Sequence, residues 1–286
     1  MQKFTIKSFN TKYPNDDACL AEIFKNRYGS LTKCPACKKE TRFYKIAGRK
    51  CYSCQYCGHQ LHPLAGTIFH KSDTSLKSWF YAIFLFSNSR NGVSAKELER
   101  ALGVTYKTAW RMAKQIRKLF SESSKELSNV VEADETYIGG YAKGQPGKGG
   151  DNKTAVVGIV ERKGKIVAKA VRNVKFSSVM PLIRKNVKLG STIMTDEYNV
   201  YHPLTKIGYD HQSVKHSLKE YVRGKVRTNT IEGFWGQVKR SIKGTYHAVS
   251  PKHLQSYLDE FSYRFDLRNL QASLFYPMIL RAARPA

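Results

Sequence analysis

Asp134, Asp196 and Glu232 are the side chains of this sequence whose types and spacing could do chemistry on a charged substrate. Asp134 lies in the run NVVEADETYIGG, Asp196 in STIMTDEYNVY, and Glu232 is the one acid of TNTIEGFWGQVKR. An ionised carboxylate among apolar neighbours is costly unless something pairs with it. Two on neighbouring strands would also repel each other. A divalent cation resolves both problems, and oxygen ligands of this kind suit Mg2+ or Mn2+, which also take phosphate oxygens. Two such ions about 3.5–4 Å apart can activate a water or a 3′-hydroxyl and stabilise the leaving oxygen of a phosphodiester. Between Asp196 and Glu232 lie 35 residues, and Lys239 follows Glu232 by seven, two helical turns along the same face. A lone Asp at a strand end ordinarily serves a turn or a cap; three acids so placed in a basic chain point to a shared site. Asp134 and Asp196 are each followed by Glu, and strand neighbours face opposite ways, so one of each pair can join that site.

The cysteines make a second constellation. Five of the six fall within 24 residues, as CPAC (Cys34, Cys37) and CYSCQYC (Cys51, Cys54, Cys57). Two C-x2-C turns joined by a loop are the spacing of a structural zinc site, each turn aiming two thiolates at one tetrahedral ion. Cys51 with Cys54, and Cys54 with Cys57, both have the right spacing. The GHQ after Cys57 resembles the glycine turn of a ribbon knuckle, which favours Cys34, Cys37, Cys54 and Cys57 as the Zn2+ ligands, with Cys51 spare.

The acids need a scaffold. NVVEADETYIGG reads as a strand. Lys153–Glu161 and Lys165–Val171 read as a hairpin turning at Lys163-Gly164, FSSVMPLIRKNV as a helix, and STIMTDEYNVY as a strand running into Asp196. That order predicts a mixed α/β sheet. A helix starting near Thr230 would put Glu232 in its first turn. Ser250–Asn269 reads as a helix packed on the sheet. The glycine-rich IGGYAKGQPGKGGDNK, 138–153, contains no nucleotide-binding loop pattern and reads as a basic loop beside the site.

Upstream, a helix over Ser75–Ser87 is broken by RNG. Ser94 caps a second helix with Glu97 three residues on, which ends at Gly103, and Thr105 caps a third running to about Phe120. With Leu98, Leu102, Val104, Ala109, Trp110 and Ile116 as the buried set, this is a helix-turn-helix pattern. Thr105, Tyr106 and Lys107 would meet base edges in a major groove, with Arg111 and Lys114 further along the helix.

Charge agrees with that reading. Against 22 Asp+Glu stand 49 Lys+Arg, a formal +27. Such an excess repels itself unless a polyanion is the partner, and its spread along the chain favours nucleic acid over a membrane surface; the helix-turn-helix pattern makes that double-stranded DNA. The most apolar run, WFYAIFLF, is too short to span a bilayer, and the N-terminus lacks the apolar core of a secretory signal. A reducing cytoplasmic location follows.

The D…D-x35-E spacing with a following Lys is that of DDE-type transposases and retroviral-type integrases. CPAC…CQYCGHQLHPLAGTIFHKS, GVSAKELERALGVTYKTAWRMAKQIR, VEADETYIGG, DEYNVY and TNTIEGFWGQVKRSIKGTYHAVSPKHLQSYLDEFSYRF together resemble bacterial insertion-sequence transposases of the zinc-ribbon DDE kind, the ISXO-type group. The resemblance implies a ribonuclease-H-like catalytic fold, recognition of terminal inverted repeats, metal-dependent nicking and strand transfer. It implies Asp134, Asp196 and Glu232 as the triad holding Mg2+ or Mn2+. Asn229 is an alternative third ligand or a phosphate contact, and Lys239 a contact to DNA with Arg227 and Arg240. Arg227 stands where the family pattern has His, and Asp266 where it has Asn. Joining two ends in one event implies a homodimer or larger on DNA, in a bacterial cytoplasm at the nucleoid. The expected layout is an N-terminal helical segment (1–27), a zinc ribbon (28–70), a helical DNA-binding region (71–122), a catalytic domain (128–245) and a C-terminal helical segment (246–286).

Overall fold

The computed structural model describes residues 4–121, 125–140, 153–214, 227–269 and 273–285. Most of the glycine-rich loop and of the basic run Lys215–Arg227 lies outside them. The chain forms two compact units. One comprises Met1–Ser89, Val93–Leu119 and Leu270–Ala286, the other Arg90–Gly92 and Phe120–Asn269.

The first unit begins with α1 (Ile6–Lys12) and α2 (Asp16–Tyr28), capped by Thr5 and Asn15, whose side chains accept the N–H groups of Ser8 and Ala18. A small antiparallel sheet follows, β1 (Phe43–Lys45), β2 (Tyr52–Cys54) and β3 (Gln60–Leu61), in that order. Tyr52 of β2 stacks on Phe24 of α2, ring centroids 3.9 Å apart, so the sheet leans on a helix rather than on a core of its own. Then come α3 (Leu76–Asn88), α4 (Ala95–Leu102) and α5 (Tyr106–Lys118). Ser75, Ser94 and Thr105 cap them through side-chain oxygens, and α4 ends at Gly103 with φ of 63°, a left-handed turn that favours glycine.

The second unit is a five-stranded mixed sheet. Its elements are β4 (Val130–Gly139), β5 (Lys153–Glu161), β6 (Ile166–Val171), α6 (Phe176–Asn186), β7 (Thr192–Thr195), α7 (Leu204–Ile207), β8 (Asp210–Ser213), α8 (Asn229–Ser241) and α9 (Pro251–Asp266). Strand order is β6-β5-β4-β7-β8. The first three strands are antiparallel neighbours; β7 and β8 run parallel to β4. The turn between β5 and β6 falls where expected, with Lys163 at φ of 62°. Alternate residues along the strands separate two cores. Val131, Ala133, Val157 and Ile159 pack with Val179 and Ile183 of α6. Ile138, Val156, Val160 and Ile166 pack with Ile231, Phe234 and Val238 of α8 and Leu254 and Leu258 of α9. The sheet is thus covered by helices on both faces, which satisfies two apolar surfaces at once.

The last helix, α10 (Phe275–Ala282), belongs to the first unit, where Phe275 packs among Phe9, Tyr13, Phe80 and Phe84. The stretch 246–286, read from sequence as one segment, is therefore divided between units, α9 in one and α10 in the other. Strand β8 was not foreseen: DHQS has no apolar alternation, and it is an edge strand held by pairing to β7.

Candidate active site and metal centre

The two cysteine turns have one design. Lys38, after CPAC, and Gly58, after CQYC, both take left-handed φ, 63° and 72°. Lys38 N–H donates to the Cys34 carbonyl at 2.9 Å and Gly58 N–H to the Cys54 carbonyl at 3.2 Å. In the opposite sense, Cys34 N–H reaches the Lys39 carbonyl at 3.0 Å and Cys54 N–H the His59 carbonyl at 2.9 Å. The result gathers the sulfurs of Cys34, Cys37, Cys54 and Cys57 within 4.8 Å of one another. Cys34 Sγ lies 3.7 Å from Cys57 Sγ, and Cys37 Sγ 3.9 Å from Cys54 Sγ. A tetrahedron with zinc–sulfur distances of about 2.3 Å has sulfur–sulfur edges of about 3.8 Å, so the donor set fits that ion in type and in size. Burial raises the Cys54 thiol, but hydrogen bonding with the Cys57 backbone, the Thr41 hydroxyl and the Tyr56 N–H outweighs it and holds the group below its ordinary range. Cys57 moves the other way: a backbone bond at His59 lowers it, but burial and its bonds with Cys37, Cys54 and Cys34 outweigh that, so the thiols share protons that a metal would displace. Cys51 lies outside the set: it is buried, and its Sγ faces Gln60 Oε1 at 3.6 Å.

The acids come from three elements. Asp134 sits on β4 opposite Gly158 of β5. Pairing of β4 with β7 ends at Glu132 and Met194; continued two residues, that register brings Asp134 and Asp196 level, on neighbouring parallel strands. Asp196 follows the end of β7, its Oδ1 accepting the Tyr198 N–H at 3.1 Å. Glu232 is exposed on the first turns of α8 and accepts the Thr228 hydroxyl at 2.7 Å. Helix α8 approaches the sheet closely because β5 offers a glycine: a Cβ on Gly158 would lie 2.4 Å from Trp235 Cζ2 and 2.7 Å from Ile231 Cδ1. Trp235 is buried and its indole Nε1 donates to Asp134 Oδ2 at 3.1 Å. Glu135 faces the other side of β4 and accepts the Tyr201 hydroxyl at 2.8 Å, as strand alternation requires.

The acids feel one another. Burial, first, and then the charges of Glu135, Asp196 and Glu232 push Asp134 up to about 7, against an opposing backbone hydrogen bond. A half-buried carboxylate that holds its proton this firmly is one that a cation would relieve. Among the described residues, though, only the four cysteines bring three or more ligand atoms close enough for a single ion. The carboxylates lie within electrostatic reach of each other without closing to that distance.

Of the other expected residues, Asn229 is the exposed first residue of α8, and Lys239 and Arg240 are exposed near its end. The Arg227 side chain is exposed while its carbonyl accepts Arg162 Nη2 at 2.8 Å. On α5, Tyr106, Lys107, Arg111 and Lys114 are all exposed. The Thr105 hydroxyl is engaged in the cap, bonded to the Thr108 N–H and hydroxyl. Trp110 corrects the expected buried set: it is 38% exposed. The buried stripe of α5 is Ala109, Met112, Ala113 and Ile116, and Trp110 stands one residue off it, with Lys114 Nζ 5.3 Å over its ring. Asp266, a departure from the family pattern, ties α9 to the sheet by accepting Lys125 Nζ and the Ile166 N–H. Four residues of the acid site escaped the sequence reading: Glu132, Arg162, Thr228 and Trp235. Only Glu132 carried a signal, as a charge in an apolar strand.

One unit carries four gathered thiols, and the other a mixed sheet with acids at its strand ends. The ISXO2-like transposase domain matches residues 126–266, and the transposase zinc-ribbon domain residues 14–60. A protein of transposable element ISH50 from Halobacterium salinarum is 28% identical over 269 residues, covering 86% of this chain and 88% of its own. A transposase-like protein of Haemophilus influenzae is 27% identical over 112 residues, 39% of this chain and 89% of its own. The chain belongs to the insertion-sequence transposases that join a zinc ribbon to a DDE domain, and is thereby a nucleic-acid-processing enzyme. The Halobacterium relative extends the bacterial grouping expected from the motifs to an archaeal protein. A chain of the simian T-cell lymphotropic virus intasome in complex with PP2A regulatory subunit B56 gamma overlays with a TM-score of 0.30 at 14% identity, covering 63% of this chain and 65% of that one, a likeness that carries no argument. Among the described residues no helix is long and apolar enough to cross a membrane.

Proposed function

We propose that this chain is a DNA transposase that binds the terminal inverted repeats of its element, cleaves their 3′ ends and transfers the freed strands into target DNA. The observation that carries the reading is the convergence of Asp134 on β4, Asp196 just past the end of β7 and Glu232 on α8, near enough for the charges of the last two to act on Asp134. Asp134, Asp196 and Glu232 would hold Mg2+ or Mn2+, which when bound supplies activation of a water or 3′-hydroxyl and stabilisation of the leaving oxygen. The protein's own part is placement. β4 and β7 fix two acids at one level, Trp235 orients Asp134, and α8 carries Glu232. Lys239 and Arg240 on α8 and Arg227 before it offer cations to the DNA backbone. Lys107, Arg111 and Lys114 on α5 do the same for the element's ends, with Tyr106 and Trp110 offering apolar contact to bases, in the manner of a helix-turn-helix. The catalytic fold is of the ribonuclease-H-like kind. Cys34, Cys37, Cys54 and Cys57 would hold Zn2+ as a fold support. Action on two ends implies a homodimer or larger on DNA, in the cytoplasm.

Labelled DNA carrying the element's own ends, with Mg2+ or Mn2+, tests this. Wild type should nick the 3′ ends and join pre-cut ends to a target. Glu232→Gln should lose both activities and Asn229→Ala should keep them. Cleavage without joining would make the chain a nuclease. Tight end binding with neither reaction would make it a regulator on a dead catalytic fold. Activity kept in Glu232→Gln would move the third ligand to Asn229 or elsewhere.

A further inference from the structure

Glu132 precedes Asp134 by two residues on β4, on the same side of the sheet, and is wholly buried. Its carboxylate accepts four donors. They are the Thr230 N–H at 2.8 Å, the Ile231 N–H at 3.0 Å, the Thr230 hydroxyl at 2.9 Å and Arg162 Nε at 2.7 Å. The same Arg162 bonds the Arg227 carbonyl just before α8. Thr230 and Ile231 are the second and third residues of the helix, whose N–H groups an N-cap side chain ordinarily takes. Thr228, at the cap position, makes no such bond; its hydroxyl goes to Glu232 instead. The cap of α8 is a carboxylate delivered from the sheet, and its charge suits the positive end of the helix dipole.

We infer that Glu132, with Arg162 as its counter-ion, is a positioning residue for the acid site. It pins α8 to the strand that carries Asp134 and so sets where Glu232 stands relative to Asp134 and Asp196. The apolar face of α8 fixes how closely the helix approaches, but apolar contact is non-directional and lets a helix slide or turn. The two N–H bonds are directional and fix height and rotation. They also supply the cap of α8, so Glu232 is not needed for that.

This inference rests on the reading of Asp134, Asp196 and Glu232 as metal ligands. Its test is Mn2+ binding to the full-length, zinc-loaded protein, read from the electron paramagnetic resonance of free Mn2+, in a double-mutant cycle of Glu132→Gln with Glu232→Gln. Gln keeps the volume and one acceptor oxygen but loses the charge. Glu132→Gln is expected to weaken Mn2+ binding roughly tenfold, as loss of a group supporting a ligand does, and to weaken it no further once Glu232 is Gln. Amide hydrogen exchange over 228–235 in the metal-free protein should speed up in Glu132→Gln. Should Glu132→Gln fail to fold, Thr230→Val, which removes only the hydroxyl bond, is expected to weaken Mn2+ binding less, in the same direction. Wild-type affinity in Glu132→Gln, or in Thr230→Val if that variant must stand in, overturns the inference. So does an equal further loss in the Glu232→Gln background, which would make Glu132 a general prop. Binding that Glu232→Gln leaves unchanged overturns the acid-site reading itself, and this inference with it.

Discussion

The cysteine site and the proposed acid site differ in how their side chains arrive. The four sulfurs come from two short turns of the same design, and backbone hydrogen bonds inside each turn hold them at 3.7 and 3.9 Å across the set. The three acids come from β4, the end of β7 and the start of α8, and they repel one another. Nothing local gathers them. Their placement depends on the β4–β7 register, on a glycine that lets α8 approach, and on a buried carboxylate that caps α8 from the sheet. A site made by local turns is specified by a few residues at fixed spacing. A site made by distant elements is only as well placed as the contacts that hold those elements together.

The largest expected difference concerns metal removal. Structural zinc in small domains supplies about 10–16 kcal/mol of folding free energy. Stripping zinc, or Cys34→Ser, should therefore unfold the segment around β1–β3, seen as rapid amide exchange over 30–62, while β4 and β5 stay protected. Cys51→Ser should keep one zinc per chain by elemental analysis; loss of zinc there would contradict the four-residue assignment.

The acid site should instead be vulnerable at its supports. Arg162→Ala leaves Glu132 buried without its counter-ion, and losing one partner of a buried pair costs about 3–5 kcal/mol. Denaturant unfolding of the second unit should show it. A smaller loss, about 1–3 kcal/mol for forcing an extra methyl into a packed core, is expected for Gly158→Ala, whose methyl would meet Trp235 and Ile231. That variant should also disturb the indole bond to Asp134, visible in tryptophan fluorescence. An unchanged unfolding midpoint in both variants would break the distinction between the sites.

A pH response of opposite sign is also expected at the two sites. In the metal-free protein Asp134 lies at about 7, above the carboxylate value of about 3.9 in an unfolded chain. The folded state then holds a proton that the unfolded chain has released. The stability this contributes is full below the ordinary carboxylate range and is lost as pH rises through about 7. Melting temperature compared with Asp134→Asn should accordingly show wild type falling behind above neutrality and recovering toward acid pH. Zinc on the cysteines should behave the other way, released as acid protonates the thiolates.

Legibility followed the same division. The cysteine spacing disclosed the ribbon, and the structure separates Cys51 from the set by turning it toward Gln60. Capping residues placed α4 and α5 well, because Ser94, Gly103 and Thr105 act through their nearest neighbours. Trp110 was misjudged because hydrophobicity alone does not say on which side of a buried stripe a residue stands. The hairpin and α6 were readable from alternation and periodicity, whereas β8 is made by pairing rather than by composition. The three acids were read from spacing and kinship. Their supports were not, since Glu132 meets Thr230 across 98 positions and Trp235 meets Asp134 across 101. No local pattern records such a contact.

The most direct test of the account is an anomalous-scattering map of crystals of the protein grown with Mn2+ and DNA carrying the element's ends. The account predicts manganese peaks at about 2.1 Å, the octahedral metal–oxygen distance, from carboxylate oxygens of Asp134 and Asp196, with Glu232 bonded to one of the ions. Peaks at Asp134 and Asp196 with Asn229 in place of Glu232, or no peak between β4 and α8, would contradict it.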